Sequence, residues 1–258
     1  MLITGASSGI GRELAFLAAQ RGAKLLLTAR RTERLQEVAD QILKSTSSAA
    51  TDCLVLAGDV TEPAHREALA DRCQDDWGGL DVLVNNAGVG AIGRFSDASS
   101  QQLRQIMEVN FFAPVELTRL LLPLLAEPSK EHRSAIAIVG SVLALSAVPL
   151  KSEYCASKFA LHGWAESLRS ELRDHGIDVL ELHPSTTESE FFDHAMGDPS
   201  LQKSIGAMSP RAAAEHVLKG IERGRPETVF PTSGKALVAL RRWSPALYRL
   251  IMKRSLDS

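Results

Sequence analysis

Short runs rich in Val, Ile and Leu alternate with longer helix-patterned segments along this 258-residue chain. The runs are Leu2-Ile3, Lys24 to Thr28, Cys53 to Leu56, Val82 to Val84, Ala135 to Val139 and Val179 to Leu182. Most are apolar on both faces, as strands buried beneath helices are. Between them lie helix candidates at 10–21, 32–44, 63–76, 100–125, 154–175 and 210–223. This alternation predicts right-handed crossovers and an α/β fold, a doubly wound parallel sheet flanked by helices. The length suits one domain over residues 1–258. No linker or repeat divides it, and Ser45 to Ala50 reads as a brief polar loop.

Composition narrows the function classes. The formal net charge of −2 argues against nucleic acid as the main partner, because phosphate binding needs a basic surface. Cys53, Cys73 and Cys155 are too few and too scattered for a disulfide framework or a metal pattern. Cys155 beside Tyr154 reads as a small helix residue. The seven histidines form no HExxH-like motif, so no metal is expected. The first residues are too short for a targeting segment, and no stretch reaches the roughly 18 apolar residues of a spanning helix. The expected location is cytoplasmic.

Thr4-Gly5-Ala6-Ser7-Ser8-Gly9-Ile10-Gly11 follows the first strand and opens a helix. Glycines there let the backbone turn sharply and approach a pyrophosphate, and a helix N-terminus offers free N–H groups. The spacing is neither GxGxxG nor a P-loop. The second strand ends in Thr28-Ala29-Arg30-Arg31. An acid at this point would bind the ribose 2′-hydroxyl of NAD, whereas guanidinium pairs with a 2′-phosphate. NADP(H) is therefore favoured over NAD(H), with Arg30 the first choice for the phosphate and Arg31 the alternative. Asp59-Val60 could meet the adenine amine, or Asp59 could only cap the next helix. Asn86-Ala87-Gly88 permit close cofactor approach, or form a plain turn.

Tyr154 and Lys158 are four residues apart in a helix candidate, so they share a face. A cation near a phenol lowers its pKa from about 10, as a general acid–base at neutral pH requires. Ser141 lies thirteen residues upstream, just past the fifth strand, where a hydroxyl could hold a substrate oxygen. Asn110 sits inside a helix candidate, where an amide is a modest helix former and a site role is plausible.

The motifs TGASSGIG, NNAG, VGS and YCASK, in this order, resemble the classical short-chain dehydrogenase/reductase family. The similarity covers essentially residues 1–230. It implies a Rossmann fold and a catalytic tetrad of Asn110, Ser141, Tyr154 and Lys158, with Lys158 and Tyr154 also at the nicotinamide ribose. It also implies a homodimer or homotetramer, paired through the helices carrying Asn110 and Tyr154. In His183-Pro184-Ser185-Thr186-Thr187-Glu188-Ser189, Ser185 stands where the family usually has glycine. Pro184, Thr187 and Ser189 are expected at the carboxamide.

Three features depart from the family. Only four residues precede Gly5, which suggests either an upstream start or a clipped cofactor-site edge. The region 191–226, with Phe191, Phe192, Met196 and Met208, reads as a substrate lid or a structural loop. From Lys235 onward there are six basic residues and one acid among Leu, Val, Trp and Tyr. This 235–258 extension either packs over the cleft or a partner, or touches a membrane surface. The expected activity is NADP(H)-dependent interconversion of an apolar carbonyl and its alcohol, with Tyr154 as acid–base. A 3-oxoacyl-carrier-protein reductase and a non-catalytic NADPH sensor or scaffold are the alternatives.

Overall fold

The computed structural model describes residues 1–45, 52–126, 132–188, 190–191, 194–201 and 206–257. Seven parallel strands form the main sheet: β1 (Leu2–Thr4), β2 (Leu25–Thr28), β3 (Cys53–Val55), β4 (Val82–Asn85), β5 (Ser134–Val139), β6 (Ile177–Pro184) and β7 (Glu227–Phe230). Their spatial order is 3-2-1-4-5-6-7. The order reverses beside β1, so the carboxyl ends of β1 and β4 open a crevice there. Such switch points are where open α/β sheets bind ligands. The six runs read from sequence are all strands of this sheet. The seventh, Glu-Thr-Val-Phe, was not recognised, because an edge strand partly open to solvent carries no continuous apolar run.

The helices are α1 (Gly9–Gln20), α2 (Thr32–Ser45), α3 (Pro63–Trp77), α4 (Ser100–Met107), α5 (Ala113–Leu125), α6 (Ser152–Leu172), α7 (Pro210–Glu222), α8 (Thr232–Trp243) and α9 (Pro245–Asp257). One core joins α1, α2 and α7 to one face of the sheet, around Leu14, Leu27, Val84, Leu182 and Val217. The other joins α3, α5 and α6 to the opposite face, around Leu2, Leu83, Leu121, Ile138 and Leu161. Each β1 side chain is therefore buried whichever way it points, which explains its apolar composition. Short as it is, β1 is fully in register, with Leu2 paired to Leu26 on one side and Leu83 on the other.

The single helix read over 100–125 is instead α4, one π-turn at Glu108–Phe112, and α5. Pro114 supplies the reason. It has no N–H to give the carbonyl of Asn110, as a regular α-helix requires. Ala113 N–H instead reaches back to the Glu108 carbonyl. Such π-bulges often re-aim a side chain at a functional site, and Asn110 lies on this one.

Candidate active site

A cavity of about 580 Å³ opens at the switch point. Its lining includes the glycine loop at one end and Ser141, Tyr154 and Lys158 at the other. Gly5 and Gly9 have φ of +66° and +56°, conformations that glycine adopts without cost. A Cβ on Gly5 would lie 2.9 Å from the Ala87 Cα, and one on Gly11 would lie 2.4 Å from Asn86 Nδ2. The loop is thus held tightly against the turn after β4. Thr4 Oγ1 accepts from the N–H groups of Asn86 and Ala87, and Asn86 Nδ2 donates to the Thr4 carbonyl. The NNAG turn therefore fixes the glycine loop. Ser7, Ser8, Ile10, Val60 and Gly88 also line the cavity.

At the outer end, Ser8 leaves the N-terminus of α1 without a side-chain cap. Its hydroxyl instead accepts from Arg31 at 2.8 Å. Arg31 also bonds Glu190 at 2.8 Å, and Arg34 grips the same carboxylate. The two guanidinium groups hold the Glu190 carboxyl well below its usual range, at about 2. Glu190 and Arg34 escaped sequence reasoning, since nothing local marks a contact 156 residues long. Arg30 is more exposed and lies 3.9 Å from Asp59 Oδ2. The other Asp59 oxygen closes a turn by accepting from the Thr61 N–H and hydroxyl. Asp59 therefore does not cap α3, whose N-cap position is Glu62.

Asn110, Ser141, Tyr154 and Lys158 come together from the π-turn, the end of β5 and the first turns of α6. All are buried. Asn110 is fastened three ways: Oδ1 accepts from Val89 N–H, while Nδ2 donates to the Val89 carbonyl and to Ser157 Oγ. Lys158 Nζ donates to the Val139 carbonyl at 3.3 Å and lies 5.9 Å from the Tyr154 ring centre. Burial alone lowers its pKa to about 8.

The expected lowering of the Tyr154 pKa is not what the protein's own groups produce. Burial raises it well above the ordinary phenol value, and the hydrogen bond with Ser141 only partly opposes this. Desolvation of the phenolate dominates, and the only opposing contribution is the Ser141 hydrogen bond. Tyr154 is accordingly held protonated.

Lys158 also makes stability depend on pH. An unfolded lysine keeps its proton to about 10.5, whereas folded Lys158 loses it near 8. Below 8 both states are protonated and the cost of burying the charge is complete. Between 8 and 10.5 the unfolded chain binds more protons, so this group makes stability rise with pH. Urea unfolding should show wild type gaining on Lys158→Met across that window. A constant difference would count against a buried ammonium.

Pro184, Ser185 and Thr187 line the cavity's third side. Ser185 does not need left-handed backbone, and Gly234 leaves room for it: a Cβ there would meet the Ser185 Cβ at 3.4 Å. Ser189 and Phe192 lie outside the described residues, as do positions 46–50 of the expected polar loop. Phe191 meets Tyr154 edge-on, with ring centres 5.9 Å apart. Met196–Gly197 pairs with Ala91–Ile92 as a two-stranded sheet, and Met208 N–H donates to the Thr186 carbonyl. From Pro210 the expected 191–226 lid gives way to α7, packed against α1 and the sheet.

The C-terminal helices close the cleft's inner wall. Leu237 lines the cavity. Arg241 donates to the Leu145 carbonyl and Tyr248 to the Ala147 carbonyl, bracing the segment just after Ser141.

A glycine-rich turn at a doubly wound switch point, joined to a buried Ser-Tyr-Lys cluster, defines a dinucleotide-dependent oxidoreductase of the Rossmann type. The chain belongs to the short-chain dehydrogenase family, whose model matches residues 1–198. It is 36% identical to the human dehydrogenase/reductase SDR family member 7 over 79% of this chain, a match that spans 59% of that longer protein. It is 30% identical to the bovine member 7B, over 99% of this chain and 81% of that protein. Among solved structures it resembles a Sphingobium yanoikuyae short-chain dehydrogenase in complex with NADPH, with 28% identity and TM-score 0.79 over 100% and 95% of the two chains. A Burkholderia phymatum short-chain dehydrogenase/reductase in complex with NAD gives 25% identity and TM-score 0.84 over 95% and 93%. The family is thus shown, and these two solved relatives carry a nicotinamide dinucleotide.

Proposed function

We propose that this chain reduces an apolar carbonyl with NADPH, or oxidises the corresponding alcohol, with Tyr154 exchanging the proton. The observation that carries the reading is one cavity lined by the glycine loop, two arginines, Ser141, Tyr154 and Lys158. Its glycine turn, lying on the cavity at the N-terminus of α1, fits a dinucleotide pyrophosphate. The bound cofactor supplies the hydride. Ser141 orients the substrate oxygen, Tyr154 gives it a proton, and Lys158 places a positive charge near the phenol. Asn110 holds the π-turn against Val89 and Ser157. Pro184, Thr187 and Ser189 would receive the carboxamide end.

The reading predicts that a panel of ketones, aldehydes and hydroxysteroids will contain substrates that consume NADPH. Phe191, Val142, Leu143 and Leu237 supply an apolar wall for them. Selective turnover of 3-oxoacyl carriers would favour the ketoacyl-reductase alternative. NADPH binding without turnover across the panel would favour a sensor or scaffold.

The NADP(H) preference rests on Arg30 and Arg31 at the end of β2, with no acid in that position. Arg30→Ala should weaken NADPH by about tenfold or more, the scale of one charge-assisted contact, and NADH much less. Equal effects on the two cofactors would pass the role to Arg31 or to neither.

Assembly and location rest on exposed apolar side chains. Leu103, Phe112 and Leu120 lie exposed along α4, the π-turn and α5, which supports pairing into a homodimer or homotetramer through those helices. Trp243, Leu247, Leu250 and Ile251 are exposed on α8–α9, interleaved with Arg242, Arg249, Lys253 and Arg254. Among the described residues no helix is long and apolar enough to cross a membrane. The pattern supports peripheral contact with an anionic membrane from the cytoplasmic side. Reversing Arg242, Arg249 and Lys253 to Glu should abolish co-flotation with anionic vesicles; unchanged flotation would dismiss the contact.

A further inference from the structure

His162, His183 and Glu227 are scattered along the sequence but meet on one face of the sheet. The β6–β7 register pairs Glu181 with Glu227 and His183 with Val229. Alternate strand residues share a face, so Glu181, His183 and Glu227 point the same way. Helix α6 lies over that face and brings His162, Glu166 and Arg169 toward it. One ligand atom from each of His162, His183 and Glu227 lies within 4.8 Å of the others.

The hydrogen bonds decide which ring nitrogens are available. His183 is fully buried, and its Nδ1 is 3.1 Å from the Ser141 carbonyl. A carbonyl only accepts, so Nδ1 carries the hydrogen. Nε2 of the neutral ring is then a bare lone pair, and no protein group among the described residues bonds it. Its nearest charged neighbour, Glu181 Oε1 at 3.6 Å, is another acceptor. His162 Nδ1 is 2.8 Å from Glu181 Oε1, a carboxylate that accepts, so in the neutral ring Nε2 carries the lone pair. Glu181 and Glu166, the latter 3.8 Å away, favour the protonated ring, so an ion bound there displaces a proton. Metal-binding histidines are held in this way, with the remote N–H fixed by a carbonyl or carboxylate. Arg169, the cation of the cluster, is committed to Glu181 Oε2 at 2.8 Å.

We propose that His162, His183 and Glu227 form a binding site for a zinc-like divalent transition ion, behind the catalytic cleft and separate from it. Two imidazoles and a carboxylate are a familiar zinc donor set, with a fourth position left for water. The exposed Glu227 side chain can travel the short distance needed to close the site. An ion on His183 would fix the ring that holds the Ser141 backbone, so occupancy would stiffen one wall of the active site. No sequence motif announces this site, because strand register rather than chain proximity assembles it.

The test uses the full chain, stripped of metal by dialysis against a chelator and then titrated with Co²⁺ and Zn²⁺. One equivalent of Co²⁺ should bind with the visible absorption of a low-coordinate nitrogen–oxygen site. Zn²⁺ should displace it and raise Tm, as binding to the native state requires. His162→Gln, which can still donate to Glu181, and Glu227→Gln should each weaken binding at least about tenfold, the lower end of losses from disturbed metal sites. Circular dichroism checks that both variants fold. Absence of binding to the wild type overturns the proposal, as does binding unchanged in both variants. So does a thiolate charge-transfer band, which would place the ion on Cys53, Cys73 or Cys155.

Discussion

Tyr154→Phe is expected to bind NADPH with nearly wild-type affinity and to lose about 10²- to 10⁴-fold in turnover, the usual contribution of a positioned general acid. The substitution removes one oxygen from a buried ring and little else. The ring's edge contact with Phe191 and its place over the cleft survive. Lys158 keeps its bond to the Val139 carbonyl, and Ser157 still donates to the backbone oxygen of residue 154. The pair of measurements, cofactor Kd and kcat, therefore separates a chemical role from a structural one. Weakened NADPH binding with proportionate loss of rate would instead make the residue part of the cofactor seat. Full activity would remove Tyr154 from the mechanism.

Gly11→Ala should have the second-largest effect, on the opposite end of the same cavity. Its new Cβ would sit 2.4 Å from Asn86 Nδ2 and 2.5 Å from the Gly5 carbonyl oxygen. Neither can yield cheaply. Asn86 is bonded to Thr4, and Gly5 belongs to the glycine loop itself. Overpacking of this kind costs about 1–3 kcal/mol. Where that strain is borne by the loop, cofactor affinity should fall roughly tenfold to a hundredfold. Isothermal titration with NADPH, beside a thermal melt, shows whether the cost falls on binding or on stability. Unchanged values in both would mean that the loop is looser than its contacts indicate.

The fold was legible because buried parallel strands advertise themselves. Leu25 to Thr28 and Ser134 to Val139 are wholly buried, and their composition says so. β7 carries no such mark for the opposite reason: it is an edge strand, with Glu227 exposed and Thr228 and Val229 only partly covered. The break in the helix around Asn110 was also missed, although Pro114 four residues later was the local signal for it. The tetrad positions could be named from motif and spacing, but their electrostatics could not. Tyr154 and Lys158 share a helix face as expected, yet burial shifts the phenol upward and the lysine downward. The Arg31–Glu190–Arg34 clasp and the His162–His183–Glu227 cluster depend on contacts between segments distant in sequence. Periodicity carries no information about those.

The clasp changes how the C-terminal half of the cleft is understood. Glu190 belongs to the segment leading into Phe191, and Arg31 follows β2, so the clasp joins the Phe191 side of the cavity to the glycine-loop side. The brace from Arg241 and Tyr248 fixes the facing wall. The C-terminal helices thus have an inner face committed to the cleft and an outer face left exposed. Packing over the cleft and contact with a membrane are consequently compatible roles for the 235–258 extension.

The central claim is that this cavity carries hydride transfer between NADPH and a carbonyl carbon. The most direct measurement incubates the full chain with a turned-over ketone and NADPH deuterated at the transferring C4 position, and locates the label by mass spectrometry and NMR. We expect one deuterium on the new carbinol carbon, with its rate of appearance collapsing in Tyr154→Phe. An unlabelled product, or equal label transfer in Tyr154→Phe, would contradict the account.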